Sequence, residues 1–351
     1  MNMLTQEGRF SEQLSSDDLL SMYWYMLLSR RVDERAWVLH RQGKIPFHIS
    51  SIGHEALQVA AAFAINRGVD YTYPYYRDLA FVLTLGYTPL DFMLGLFGKE
   101  GEPSSGARQM PSHWSHRDLN IVTQSAVVAT QVPQAAGTAF GIKYRIEQGL
   151  QDRDDTTQAR LAICSLGEGS TTQGEWHEGL NWAGLHQLPF ICIVENNNYA
   201  ISVPYEKQSA VSVADRAESY GVKGVQVDGT DPIAMYEVMK EAVQRAYNGD
   251  GPTCIEAKCH RLVPHSSDDD DRTYRSPEEL KAIKEFDPVP NFRNRLMEQG
   301  ILTESLDNEY EDKAKQMVNQ AHKTAENAPY PNPADHLSAH HNFAPDAKGD
   351  F

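Results

Sequence analysis

The sequence predicts an α/β protein, a doubly wound and mostly parallel sheet with helical extensions at its N- and C-terminal ends. Three observations carry this. From about residue 125 onward four short apolar runs recur, LAICSL, PFICIVE, GVQVDG and TCIEAKC, and nearly continuous apolar runs suit parallel strands covered on both faces. Helical stretches lie between them, including QGEWHEGLNWAGLHQ and DPIAMYEVMKEAVQRAYNG, and strand–helix–strand repetition implies right-handed crossovers. The two flanks carry helical spacing instead. The chain therefore divides into an N-terminal helical extension over 1–70, an α/β domain over 71–275, and C-terminal helices with a disordered tail over 276–351.

Taken in order, SSDDLLSMYWYMLLSRRVDERAWVLHRQG has apolar residues at helical spacing behind a Ser/Asp-rich start, so it reads as a helix of several turns. HEALQVAAAFAINRG reads as a second helix ending at Gly68. YTYPYYRD is aromatic and β-prone, and Pro74 marks a strand end or a loop. TPLDFMLGLFG is a further helix. KEGEPSSGARQMPSHWSHRDLN has no period, and so long a loop inside a compact domain is usually functional. VVATQVPQAAGTAFGIKYRIEQG reads as a helix crowded with small residues, suited to close packing. The stretch from SPEELKAIKEFDP to about residue 326 reads as polar helices, and DDDD at 268–271 is the one low-complexity run.

Lys and Arg number 32 against 48 Asp and Glu, a net charge of −16, which argues against a general nucleic-acid or anionic-membrane surface. Cys164, Cys192, Cys254 and Cys259 fall in apolar runs without zinc-knuckle or redox spacing and read as buried reduced thiols. MNMLTQEGRFSEQLSSDD lacks a basic start followed by an apolar signal core, and no apolar stretch approaches the roughly 20 residues that span a bilayer. The expectation is a cytoplasmic protein.

Ligands of an open parallel sheet collect beyond the carboxyl ends of its strands. LAICSL runs into GEGS there and PFICIVE into NNNYAIS. One crossover separates the two ends, so they should be neighbours, with Glu168 facing the asparagines. Gly167 and Gly169 allow a tight turn with close backbone approach, and the following helix aims its N-terminus at the site, which favours a diphosphate. The third glycine of a dinucleotide fingerprint is replaced by Thr172, and no Gly-Lys-Ser/Thr of a Walker loop is present. A carboxylate and an amide oxygen are hard ligands suited to Mg²⁺ that keeps phosphate oxygens and water in its shell. Either motif alone reads equally well as a helix cap or an ordinary turn. Their pairing over one strand–helix–strand unit favours a metal–diphosphate anchor.

GEGSTTQGEWHEGLNWAGLHQLPFICIVENNNYAIS resembles the thiamine diphosphate motif, which opens with Gly-Asp/Glu-Gly and closes with Asn-Asn. The wider resemblance is to the alpha subunit of the decarboxylating component of branched-chain 2-oxoacid dehydrogenase complexes. It runs from the first helix to about residue 330 through GKIPF, YPYYRD, GARQMPSHW, ATQVPQAAG, VDGTDP and RLVPHSSDDDDRTYR.

The resemblance implies a thiamine diphosphate-binding fold in which Glu168 and the Asn197 side chain bind Mg²⁺, with the Tyr199 carbonyl as a third ligand. It implies that Gly167, Gly169 and Ser170 line the cofactor. Tyr76 and Arg77 would hold the diphosphate, a task suited to a guanidinium fork. His265, in RLVPHSS, would contact phosphate and take part in acyl transfer, as suits an imidazole that titrates near neutral pH. Arg261 would support that loop or the diphosphate, and Val128 would buttress the bent cofactor less fully than the larger aliphatic usual there. Glu195 stands where many relatives carry a basic residue, so it is expected to bring a negative charge to the diphosphate end. Asn198, where glycine is frequent, suits a left-handed backbone. Ser266 falls where mammalian relatives are phosphorylated, although nothing in this chain supports regulation there.

The carboxylate that activates the cofactor's aminopyrimidine has no match here, and in the resembled family it comes from a beta subunit. The resemblance thus implies an α₂β₂ heterotetramer serving a lipoylated acyltransferase. Its substrate would be a small 2-oxoacid of the 3-methyl-2-oxobutanoate type, decarboxylated oxidatively. A pyruvate or acetoin dehydrogenase alpha subunit is the alternative; ARQMPSHW favours the branched-chain type. A non-catalytic phosphate-binding module is a further reading, which the combined motifs disfavour.

Overall fold

The computed structural model describes residues 14–334, and the expected disordered tail lies outside the described residues. Helix α1 (Ser16–Arg41) starts where Ser15 and Asp18 cap it reciprocally: Asp18 N donates to Ser15 Oγ at 3.1 Å and Ser15 N donates to Asp18 Oδ2 at 3.0 Å. Helix α2 (Glu55–Ala64) stops short of Gly68. Asn66 and Asp70 close a turn of their own there, with Asn66 N donating to Asp70 Oδ2 at 3.0 Å and Asp70 N to Asn66 O at 2.9 Å. Strand β1 (Tyr71–Tyr73) ends at Pro74, which lacks the donor to continue a ladder. Helix α3 (Leu79–Leu85) has no polar face, since all seven residues are buried, and its sequence therefore shows no amphipathic period. Helix α4 (Pro89–Phe97) is capped by Thr88 and closed by left-handed Gly98.

Helix α5 (Gln131–Glu147) begins later than the sequence suggests, because left-handed Ala129 (φ 70°) interrupts the run from Val127. The core unit follows as β2 (Ala162–Gly167), α6 (Gly174–Leu185) and β3 (Phe190–Asn196). A short antiparallel pair, β4 (Tyr199–Ala200) with β5 (Val203–Pro204), leads to α7 (Val213–Glu218), β6 (Lys223–Asp228), α8 (Pro232–Asn248) and β7 (Thr253–Lys258). Helices α9 (Pro277–Ala282), α10 (Pro288–Glu298) and α11 (Glu304–Asn327) complete the chain.

The main sheet has the order β1-β2-β3-β7-β6 with every neighbouring pair parallel. Its period of two sorts the apolar residues onto two faces. Cys164, Cys192 and Cys254 stand in register across β2, β3 and β7 and pack with residues of α5, α6 and α7. Ile163, Ile191, Ile193 and Ile255 point the other way, into a larger core shared with α1, α2, α3, α8 and the C-terminal helices. Each such buried aliphatic side chain stabilises the fold by about 1.5–3 kcal/mol relative to exposure. All four cysteines are buried and free, as expected. No helix among the described residues is long and apolar enough to cross a membrane.

Candidate active site

The parallel register sets Gly167, the last residue of β2, beside Glu195 of β3. Glu168 and Asn197 thus leave the sheet at the same end, one strand apart. Asn197 N donates to Glu168 Oε2 at 3.3 Å, while Glu168 Oε1 is buried without a partner. Burial pushes the Glu168 carboxyl above its ordinary range. The Asn197 amide is oriented by two neighbours: its Oδ1 accepts from Tyr199 N and its Nδ2 donates to His54 Nε2, both at 3.3 Å. Asn196 supports the turn, with Nδ2 donating to Glu256 Oε1 at 2.7 Å and Oδ1 accepting from Asn198 N at 3.1 Å. Asn198 adopts φ 75°, the left-handed backbone expected of it.

The two glycines differ in what they do. Neither Gly167 nor Gly169 uses positive φ. A Cβ on Gly167 would meet only Tyr75 at an ordinary 3.8 Å, whereas one on Gly169 would lie 2.5 Å from Ala200 Cβ. Gly169 therefore lets the short strand β4 pack onto the 3₁₀ turn Glu168–Thr172, which holds buried Ser170.

Arg77 and Arg261 converge on this end of the sheet from opposite sides. Arg77 is fully buried; Nη1 donates to Ser50 O, and Nη2 lies 3.2 Å from His265 Nδ1 and 3.3 Å from His265 O. The Tyr76 ring stands edge-on to the His265 ring at 6.1 Å. Arg261, also fully buried, donates through Nη2 to Ile201 O and to Tyr274 Oη, each at 2.8 Å, and through Nη1 to Tyr199 O at 3.5 Å. These contacts tie Arg261 to the Tyr199–Ile201 segment and to Tyr274. Among the described residues neither guanidinium sits in a salt bridge, and both keep a buried Nε without a partner. Two buried cations without carboxylates are costly to leave alone and fit a bound anion.

The same pair changes the expectation for His265. Burial, then Arg77 and Arg261, push its imidazole down to about 3, so in the free chain the ring is neutral rather than poised near neutrality. His265 N donates to Asp269 Oδ2 at 2.7 Å, which fastens the histidine loop to the acidic run.

Glu195 does not bring a charge to the diphosphate end. Its side chain meets α2 and the YYRD turn, where Gln58 Nε2 donates to both carboxyl oxygens at 3.0 and 3.2 Å and Tyr75 Oη donates at 3.0 Å. Burial and the adjoining Asp78 carboxyl push Glu195 well above the usual carboxylate range; burial also pushes Asp78 up to about 6. Burial thus biases both acids beneath the YYRD turn toward the protonated form. Val128 stands apart from this contact set, half-buried in the turn before α5.

His54 was not among the residues singled out from the sequence, where HEALQ marks only a helix start. It is fully buried, and burial, then Arg77 and Arg261, push its imidazole well below the ordinary value. The loop that carries it is tied down by buried Asp33, which accepts from Ser50 Oγ and Ser51 N at 2.7 Å and pairs with His48 Nε2 at 2.9 Å. A cluster of polar residues in HISSIGH was the available signal, without a period or motif to assign it.

The chain is 47% identical over 321 residues to the 2-oxoisovalerate dehydrogenase subunit alpha of Bacillus subtilis (strain 168), covering 91% of this chain and 94% of that relative. It is 36% identical to the pyruvate dehydrogenase E1 component subunit alpha of the same organism, over 90% of this chain and 80% of the relative. It is 35% identical to the 3-methyl-2-oxobutanoate dehydrogenase subunit alpha of Mycobacterium tuberculosis (strain ATCC 25618 / H37Rv), over 93% and 83%. With the family model described as dehydrogenase E1 component matching residues 23–334, the chain belongs to that family.

Proposed function

We infer that this chain is the alpha subunit of a branched-chain 2-oxoacid dehydrogenase, acting with a beta subunit on acids of the 3-methyl-2-oxobutanoate type. The observation that carries the substrate class is the 47% identity, across nearly the full length of both chains, to a 2-oxoisovalerate dehydrogenase alpha subunit, against 36% to a pyruvate dehydrogenase alpha subunit of the same organism. We take the sheet to be a thiamine diphosphate-binding fold that also holds Mg²⁺. The fit rests on chemistry at the strand ends: a buried carboxyl oxygen without a partner and two buried guanidiniums outside any salt bridge. Among the described residues no three His, Cys, Asp or Glu side chains gather to hold a metal; the resemblance to the family implies Glu168, the Asn197 amide oxygen and the Tyr199 carbonyl as the ion's protein ligands. Such an oxygen set suits a cation that retains waters and phosphate oxygens.

When bound, thiamine diphosphate supplies the electron sink for decarboxylation. In this assignment Arg77, with Tyr76, grips the diphosphate. Arg261 braces the Tyr199–Ile201 segment that presents the carbonyl. Gly167, Gly169 and Ser170 border the metal, and Val128 flanks the cofactor. His265, beside Arg77, contacts phosphate and carries the proton for acyl transfer to the lipoyl group of an acyltransferase partner. The test is co-expression with a beta subunit and assay across several 2-oxoacids. Decarboxylation that favours 3-methyl-2-oxobutanoate over pyruvate is expected. A preference for pyruvate would overturn the substrate class, and full activity of the alpha chain alone would overturn the need for the partner.

A further inference from the structure

Buried asparagine amides carry an ambiguity that a metal site must resolve. Oxygen and nitrogen are nearly isosteric, and a half-turn about the last torsion exchanges a ligand for a donor that repels a cation. Asn197 is only 5% exposed, so the surrounding protein sets its orientation. Tyr199 N, which needs the oxygen, is a long contact at 3.3 Å. The opposite side of the amide faces His54 Nε2 at 3.3 Å.

His54 is built to present a lone pair there. Its ring is fully buried, Nδ1 has no hydrogen-bond partner, and the amide nitrogen that faces Nε2 can only donate. Nε2 is then left as an acceptor. The position is rigid because Gly53, at φ 100°, brings the backbone so close to the 260 segment that a Cβ would lie 1.9 Å from His260 O. His54 N also donates to Ser51 O at 2.9 Å.

We propose that His54 is a positioning residue for the metal site: by accepting a hydrogen bond from the Asn197 amide nitrogen, it fixes Oδ1 as the atom offered to the cation. The proposal rests on the reading of Asn197 as a ligand of Mg²⁺. The amide oxygen has a second lone pair beyond the one that accepts from Tyr199 N, and this is the one left for the ion.

The test is calorimetric titration of Mg²⁺ into the assembled alpha–beta complex at saturating thiamine diphosphate. His54→Leu, which removes the acceptor, should weaken Mg²⁺ about 10- to 100-fold, the usual cost of losing a partner that orients a ligand. His54→Gln, whose amide oxygen can replace Nε2, should return the affinity to within about threefold of the parent. In an Asn197→Asp background both side-chain atoms are oxygens and no orientation remains to be chosen, so His54→Leu should have no further effect. Should His54→Leu fail to fold, His54→Asn keeps a polar group near the place of Nδ1 but cannot reach Asn197, and it should show the same weakening with an unchanged circular dichroism spectrum. Parent-like Mg²⁺ affinity in His54→Leu or His54→Asn, alongside a loss in Asn197→Ala, would overturn the proposal. An equal loss on His54→Leu in the parent and Asn197→Asp backgrounds would also overturn it, as a general packing effect. Parent-like affinity in both Asn197→Ala and Glu168→Gln would instead overturn the metal assignment beneath it.

Discussion

Asn197 N donates to Glu168 Oε2 at 3.3 Å, joining the ends of two adjacent parallel strands through groups 29 residues apart in sequence. The other carboxyl oxygen of Glu168 has no partner although it is buried. A buried acid in that state lowers stability unless something compensates it.

Glu168→Gln should therefore divide stability from function. Without cofactor, the melting temperature of the variant at neutral pH should equal or exceed that of the parent, because the raised carboxyl is replaced by a neutral amide. Thiamine diphosphate binding should lose its dependence on Mg²⁺ and weaken by at least about tenfold. Calorimetry with and without Mg²⁺ reads both; retained Mg²⁺ dependence would sink the assignment of Glu168.

The carboxyl pair of Glu195 and Asp78 predicts a pH signature. Both are raised, by burial first. A raised carboxyl contributes stability that is fully present below its unfolded value, about 4.3 for glutamate, and that is lost as pH rises through the folded value. Glu195→Gln removes this slope and leaves Gln58 and Tyr75 their partner. The variant should gain on the parent in melting temperature as pH rises above about 4.3. Parallel stability curves above that pH would show that burial does not raise the Glu195 carboxyl.

His265 should change its titration on loading. In the free chain Arg77 and Arg261, together with burial, hold the imidazole down at about 3. A diphosphate bound beside the ring and the two guanidiniums favours the protonated form, as any nearby anion does. Imidazole NMR signals should report a neutral ring at about pH 6 without ligand. They should then show an upward shift of at least about one unit with thiamine diphosphate and Mg²⁺. Binding with an unmoved titration would place the phosphates elsewhere.

Gly169→Ala tests the contact between the Glu168–Thr172 turn and β4. The added methyl would meet Ala200 Cβ at 2.5 Å, and overpacking of this kind costs about 1–3 kcal/mol. Ala200→Gly should recover most of the loss in the double variant, measured by chemical denaturation. No recovery would locate the strain outside this pair.

β2, β3 and β7 were legible because parallel strands buried on both faces need continuous apolar runs. β6, read from the same kind of run, lies at the sheet edge and is only partly buried, and the cap of α1 was legible because it is local. Helix α3 was hidden for the opposite reason: burial on every side erased its period. The β4–β5 pair is too short to carry a pattern at all.

From the sequence alone, Glu168 and Asn197 were determined to be neighbours, since one right-handed crossover between parallel strands leaves their carboxyl ends side by side. Residue chemistry likewise determined that this end could serve an anion and a hard cation. Only the tertiary structure decided what the side chains at and beyond the strand ends meet. It turned Glu195 inward against Asp78 and brought His54 to the amide of Asn197 from 143 residues away. Alternation along a strand is a local rule. The loop that carries His54 is placed by Asp33, Gly53 and the 260 segment, contacts between distant parts of the chain that no local pattern encodes.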